Sequence, residues 1–296
     1  MDQLTIEWFG CSTFRLNAAG VSVFLDAYID RVEGADGYGK SAGDIDRADW
    51  ILVGHSHFDH LWGAERIARN TGATVVGSFE TIRVMREAGV PLTQLLPVSG
   101  GERIALGPQV FARVFPSLHS CVWTHRALPP VDEICIGDLG VIYQDRIERG
   151  QQQADYVLGL GSTVASHLSS GNQNARGDGG ALVYLIEAPA GRLLFQDTCG
   201  HWSGIMSALR PDIALLAAAG RPNLDGEPFQ GTLAAYLVGL TGLIRPRQLI
   251  LTHHDDWLPG FSSRIDTGIV RHGMAQAGLS TVLTDLPYWE TVALHS

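Results

Sequence analysis

The stretch DWILVGHSHFDHLWGA, residues 49–64, decides how the chain is read. An apolar run from Trp50 to Val53 ends at Gly54, and His55, His57, Asp59 and His60 follow at once. A short apolar run bounded by turn residues reads as a strand buried on both faces. The spacing of Leu61, Ala64, Ile67 and Ala68 then predicts a helix that Gly72 ends. In a tight turn after the strand, His55 and His57 can face one side while Asp59 and His60 reach another. With 11 histidines in 296 residues, an HxHxDH pattern arises by chance in about one sequence in a thousand. A chance run of solvated histidines is therefore a poor explanation.

Outward from this motif, the chain opens with the strand-like LTIEWFG, STFRLNAAG and VSVFLDAYID, with a hairpin at Gly20. TVVGS reads as strand, FETIRVMREAG as a helix capped by Ser78 and ended by Gly89, and QVFARVFPSLH as strand. From about 120 to 180 the sequence turns polar and rich in turn residues around weak helical patterns, and reads as an insertion bordering a site. ALVYLIEAPAGRLLFQD then predicts a hairpin about Pro189–Gly191, and IALLAAAG and QLILTHHDDW two buried strands. No linker or repeat divides the chain, so residues 1–296 are expected to form one domain.

Composition narrows the function. Hydrophobic residues make up 45% of the chain and the formal charge is −10, so no basic face offers itself to nucleic acid. The four cysteines, Cys11, Cys121, Cys135 and Cys199, show no CxxC or disulfide spacing, which suits a reducing compartment. The acidic start MDQLTIE and the lack of a long apolar run predict neither export nor membrane spanning. A cytoplasmic protein with a small-molecule partner is expected; homo-oligomerisation is left open.

Five places share one feature, a metal-competent residue at the end of an apolar strand: Asp26, the HSHFDH cluster, His119, Asp197 and His253. Strand ends on one sheet edge converge in space although far apart in sequence. Imidazole and carboxylate suit zinc, and also manganese or iron, and the tally allows two such ions. At the fifth place THHDDW offers both His253 and His254. His125 and His167 read as surface or helix-cap residues. His201, His254, Trp257 and Tyr28 are candidates for lining a substrate pocket, with Trp123 and Phe261 as further aromatic surface and Arg126 or Arg264 for an anionic group.

These motifs resemble the metallo-β-lactamase fold superfamily, whose HxHxDH stands here as His55, His57, Asp59 and His60. IEWFGCSTFRL is similar to the opening strand of the branch holding ascorbate-phosphate lactonase and N-acyl phosphatidylethanolamine phospholipase D, with Cys11 where that branch has histidine. The resemblance spans Leu4 to about His119 and Ala181 to Trp257. It implies an α/β fold, an αββα four-layer sandwich with metals at one edge. It makes His55, His57 and His119 ligands of one metal, Asp59, His60 and His253 ligands of a second, Asp197 their bridge, and Asp26 a residue that orients a ligand. His253 is preferred over His254 because relatives read His-Trp-Asp-Asp-Phe there.

Two cations close together lower the pKa of a shared water toward neutrality. The expectation is a dinuclear metal-dependent hydrolase that uses a metal-bridging hydroxide on a small ester, lactone or amide, with Asp59 and Asp197 handling protons. The alternatives are a phosphodiesterase on the same fold and a non-catalytic metal-binding protein. The acidic balance argues against a nuclease, and His57 stands where flavodiiron proteins carry glutamate.

Overall fold

The apolar runs form strands, and in the computed structural model, which describes residues 4–121, 142–171 and 177–294, the strands build two large sheets. The chain opens with β1 (Thr5–Gly10), β2 (Thr13–Ala18), β3 (Val21–Leu25) and β4 (Trp50–Leu52). Next come α1 (Phe58–Leu61), α2 (Ala64–Thr71), β5 (Thr74–Gly77), α3 (Phe79–Glu87), β6 (Leu95–Pro97), β7 (Arg103–Ala105) and β8 (Phe111–Pro116). Then follow α4 (Tyr143–Leu158), α5 (Ser162–Gly171), β9 (Leu182–Ala188), β10 (Gly191–Gln196), β11 (Gly200–His201), α6 (Ser203–Met206) and β12 (Ile213–Ala217). The last part holds β13 (Asn223–Leu224), β14 (Glu227–Pro228), α7 (Leu233–Ile244), β15 (Gln248–Thr252), α8 (Thr267–Gln276), β16 (Val282–Leu283) and β17 (Thr291–Ala293).

The first sheet has the order β17-β1-β2-β3-β4-β5-β6, the second β16-β15-β12-β10-β9-β8-β7, and β11, β13 and β14 form a small third sheet. In the first, β3 and β4 are parallel. In the second, β10, β12 and β15 are parallel, and β8 runs with β10 because both are antiparallel to β9. Hence the residues that follow β3 and β4 leave one edge of the first sheet, and those that follow β8, β10 and β15 leave one edge of the second.

Side chains alternate faces along a strand, so one strand can serve two cores. Leu182, Tyr184 and Ile186 of β9 join a cluster that also takes Phe14, Leu16 and Val23 from the first sheet, while Val183 and Leu185 join α7 and α8 on the other face. Phe14 meets Phe195 edge-on at 6.5 Å between the sheets, the preferred geometry for aromatic pairs. A third cluster packs Phe24, Ile51 and Val75 against Ile67 of α2 and Val84 of α3.

Local chemistry explains the boundaries. Ala19 and Gly20 both have positive φ, 46° and 83°, as a two-residue hairpin of the expected kind requires. Ser78 caps α3 by accepting from the Thr81 amide. The helix expected from Leu61 is instead two helices, broken at Gly63, which has φ 132° and lies so close to Ala27 that a Cβ would sit 2.3 Å from its carbonyl oxygen. Residues 143–171 hold two well-formed helices where the sequence offered only weak patterns, because Val157 is the only buried residue of α4. Trp123, His125, Arg126 and Cys135 lie outside the described residues. No helix among the described residues is long and apolar enough to cross a membrane.

Candidate metal centre

The turns at the strand ends bring all seven expected donors together. His55 Nε2 lies 3.1 Å from His57 Nδ1 and 3.1 Å from His119 Nε2. On the far side, Asp59 Oδ2 is 3.1 Å from His253 Nε2 and 3.4 Å from His60 Nε2. Asp197 Oδ2 stands 2.6 Å from His55 Nδ1 and 3.3 Å from His60 Nδ1. Three sets, His55–His57–His119, Cys11–Asp59–His253 and His55–His60–Asp197, each hold donor atoms within 4.8 Å of one another.

This donor set fits divalent cations. Imidazole nitrogens that point at one another present converging lone pairs once both are unprotonated, which is what a tetrahedral cation takes up. Asp197 Oδ1 and His253 Nδ1 are buried and lack a hydrogen-bond partner, an arrangement costly for a structure that used them only for packing. Gly54 leaves the space: a Cβ there would fall 2.1 Å from Asp197 Oδ2.

A surrounding set of contacts fixes the donors. Asp26 Oδ2 is 2.7 Å from both His60 Nδ1 and the Ser12 hydroxyl, and Oδ1 accepts from the Gly54 amide at 2.9 Å. A carboxylate behind an imidazole fixes which nitrogen faces a metal. Cys11, Asp26 and His253 adopt positive φ of 49°, 53° and 59°, a conformation that costs a side-chain-bearing residue about 1–2 kcal/mol. Hydrogen bonds hold it. The Cys11 carbonyl accepts from Trp8 Nε1 at 3.2 Å, Thr252 Oγ1 at 3.0 Å and the His253 amide at 2.9 Å, and the Asp255 carboxylate takes the Cys11 amide.

Burial sets the protonation. Burial, together with the charges of His60 and His119, holds His55 well below the ordinary histidine range, and burial does the same to His57. Burial opposes charge on His60, yet Asp59 and Asp26 hold it well above that range. In Asp59 the effect of burial is outweighed by His60 and by the hydrogen bond from His253, so its carboxyl stays well below the carboxylate norm. Burial and the facing Asp197 push Asp26 up to about 6, and burial raises Asp197. Several acids crowded in one dry place call for a concentrated positive charge, which a divalent ion supplies.

A cavity of about 850 Å³ opens over the cluster and includes Trp257 in its wall. Three other residues expected in a pocket are not among its described lining residues. Tyr28 is fully buried, with its hydroxyl 2.7 Å from His167 Nε2. His201 is buried with Nδ1 2.7 Å from the Tyr236 hydroxyl, and His254 stacks on Trp8 at 4.9 Å. The choice at THHDDW thus has a geometric outcome, His253 toward Asp59 and His254 toward Trp8. Arg264 pairs with Asp36. His167, read as a surface or cap residue, is Tyr28's partner. Sequence reasoning did not find Ser12, Asp255 or Arg221. Ser12 and Asp255 were detectable only as polar residues near strand ends, and Arg221, which lines the cavity, belongs to no motif.

No family model matches the chain. It is similar to a UPF0173 metal-dependent hydrolase of Pyrobaculum calidifontis, 34% identical over 117 residues, which are 40% of this chain and 51% of that protein. The chain spans about half the length of the curated relatives it matches. Among solved structures, Igni18, a metallo hydrolase from Ignicoccus hospitalis, superposes with a TM-score of 0.64 over 99% of both chains at 17% identity. YhfI of Bacillus subtilis, a metallo-β-lactamase fold protein, gives 0.53 over 99% of this chain and 100% of its own at 10% identity. The chain has the metallo-β-lactamase fold. In this instance of the metallo-β-lactamase fold, the seven donors leave the sheet edges described above on four segments, and Asp26, which holds His60, on a fifth.

Proposed function

We propose that the protein is a dinuclear metal-dependent hydrolase of small esters, lactones or amides. The observation that carries the reading is the close approach of His55 Nε2 to both His57 Nδ1 and His119 Nε2, beside the second set of Asp59, His60 and His253. His55, His57 and His119 would hold one divalent cation and Asp59, His60 and His253 the other, with Asp197 beside His55 and His60 between the two sets. Bound there, the cations supply a water of lowered pKa and polarise the oxygen under attack.

The chain's own residues do the rest. Asp26 and Ser12 keep the His60 ring from turning. Asp59 and Asp197 handle protons: Asp197 Oδ1, buried and without a partner, accepts a proton from the attacking water and returns it to the leaving group. Trp257, Leu258 and Phe261 line the cavity and exclude water from the substrate's apolar part. The αββα layer order and a place in the lactonase-like branch belong to the same reading. The three apolar clusters support the first and the IEWFGCSTFRL strand the second.

Elemental analysis of the purified protein, followed by a panel of lactones, esters, amides and phosphodiesters with and without chelator, tests it. The expected result is two equivalents of zinc, manganese or iron per chain and turnover of a carbonyl substrate that chelation abolishes. Phosphodiester turnover alone would make the protein a phosphodiesterase, and full activity in metal-free protein would end the proposal.

A further inference from the structure

Among the described residues that line the cavity over the donor cluster, one side chain, Arg221, carries a permanent positive charge and has no task in hydrolysis. Arg221 lies in the loop between β12 and β13 and is only 6% exposed. Its Nη1 donates to the Phe229 carbonyl at 2.8 Å. Its Nε is buried and has no hydrogen-bond partner. No carboxylate forms an ion pair with it among the described residues. Burying a guanidinium without a counter-charge is costly. An anion beside it would offset that cost.

The loop's attachments place this charge beside the chemistry. The Arg221 carbonyl accepts from the Cys121 amide at 2.8 Å, and Asn223 Nδ2 donates to the carbonyl of His119 at 3.2 Å. The loop is therefore tied on both sides to the segment that carries one of the proposed ligands. Ala218, Ala219 and Gly220 lead up to Arg221 along the cavity wall, and their small side chains leave room there. Gly220 itself has φ +78°, and a Cβ on it would meet Ser120 Oγ at 2.9 Å.

We propose that Arg221 anchors a carboxylate on the substrate, which would make the preferred substrate a monoanionic ester, lactone or amide with an apolar body. The inference rests on the hydrolytic reading of this cavity. With Nη1 committed to Phe229 and Nε enclosed, Nη2 is the group left to donate to a carboxylate oxygen, a charge-assisted bond. Arg221 is the only arginine or lysine among the described lining residues, and thus the one side chain there that offers an anion N–H donors on a fixed positive charge. Leu233, Val157 and Trp257 line the same space and accommodate the apolar part.

Calorimetric binding of hexanoate and of its neutral isostere hexanamide, to zinc-loaded and to chelator-stripped protein, tests this. Hexanoate is expected to bind at least tenfold tighter than hexanamide in both forms. That ratio should fall to near one in Arg221→Gln and be partly retained in Arg221→Lys, with hexanamide as the measure of a merely structural effect. If Arg221→Gln does not fold, the wild-type ratio and Arg221→Lys decide. A hexanoate preference that vanishes on stripping the zinc, or that survives in Arg221→Gln, would assign the carboxylate elsewhere and overturn the proposal. So would a wild-type ratio near one, or tighter Arg221-dependent binding of hexyl phosphate than of hexanoate. A hexanoate preference in zinc-loaded protein that turns over no member of the substrate panel would sink the hydrolytic reading and leave the anion anchor standing, because the preference is read in the stripped protein as well.

Discussion

Gly54 → Ala adds one methyl group at the point where the site has least room. The new Cβ would lie 2.1 Å from Asp197 Oδ2, 2.2 Å from Cγ and 2.5 Å from Oδ1, whereas ordinary contact begins near 3.4 Å. The whole carboxylate must therefore retreat by more than 1 Å, or the turn that carries His55 must move by as much. Overpacking of this kind costs about 1–3 kcal/mol. In a chain of this size that corresponds to a Tm lowered by roughly 2–10 °C. The functional loss should be larger, because a 1 Å error in a reacting group costs on the order of a hundredfold in rate, while disturbed support of a metal ligand costs about 10- to 100-fold in affinity. Chelator competition gives metal affinity, and kcat/KM on the best panel substrate gives the rate. A folded G54A protein that binds metal and turns over substrate within threefold of wild type would refute the argument that Asp197 needs that space.

Three further outcomes follow from other positions. Gly239→Ala, in α7 with nothing within 4 Å of the new Cβ, should leave metal binding alone and stabilise by about 0.5–1 kcal/mol, read as a rise in Tm. Asp26→Asn tolerates the positive φ but offers one acceptor oxygen where both are used; metal affinity by chelator competition should fall about 10- to 100-fold, and an unchanged value would contradict its positioning role. Burial lowers His201 from 6.5 to about 4, so between those values the unfolded chain binds the extra proton. Its contribution to stability is complete above pH 6.5 and falls by about 3 kcal/mol as pH drops toward 4. His201→Gln should lose less stability than wild type between pH 7 and 4.5 in urea titrations, and equal losses would refute the sign.

The parts of the molecule that were legible in the sequence are those decided locally. The Gly20 hairpin, the Ser78 cap and the apolar strand before His55 follow from backbone preference and periodicity over a few residues. The convergence of the seven expected residues was legible because strand ends gather at a sheet edge whatever lies between them. What escaped was decided by distant neighbours. Gly63 breaks its helix because the Ala27 carbonyl passes beneath it. Tyr28 and His201 looked like pocket residues, being aromatic or imidazole side chains near a motif, but their hydrogen bonds to His167 and Tyr236 come from residues 139 and 35 positions away. Arg221 gave no signal at all, since an arginine after AAAG resembles any surface arginine until burial is known.

Two of the three donors on the Cys11 carbonyl, Thr252 Oγ1 and the His253 amide, join the end of a strand in one sheet to the end of a strand in the other. Part of the spacing between the two halves of the rim is thereby written into a main-chain oxygen, an atom that no point substitution removes. Drift in the surrounding side chains can retune what the site prefers while the gauge that separates its halves stays in place.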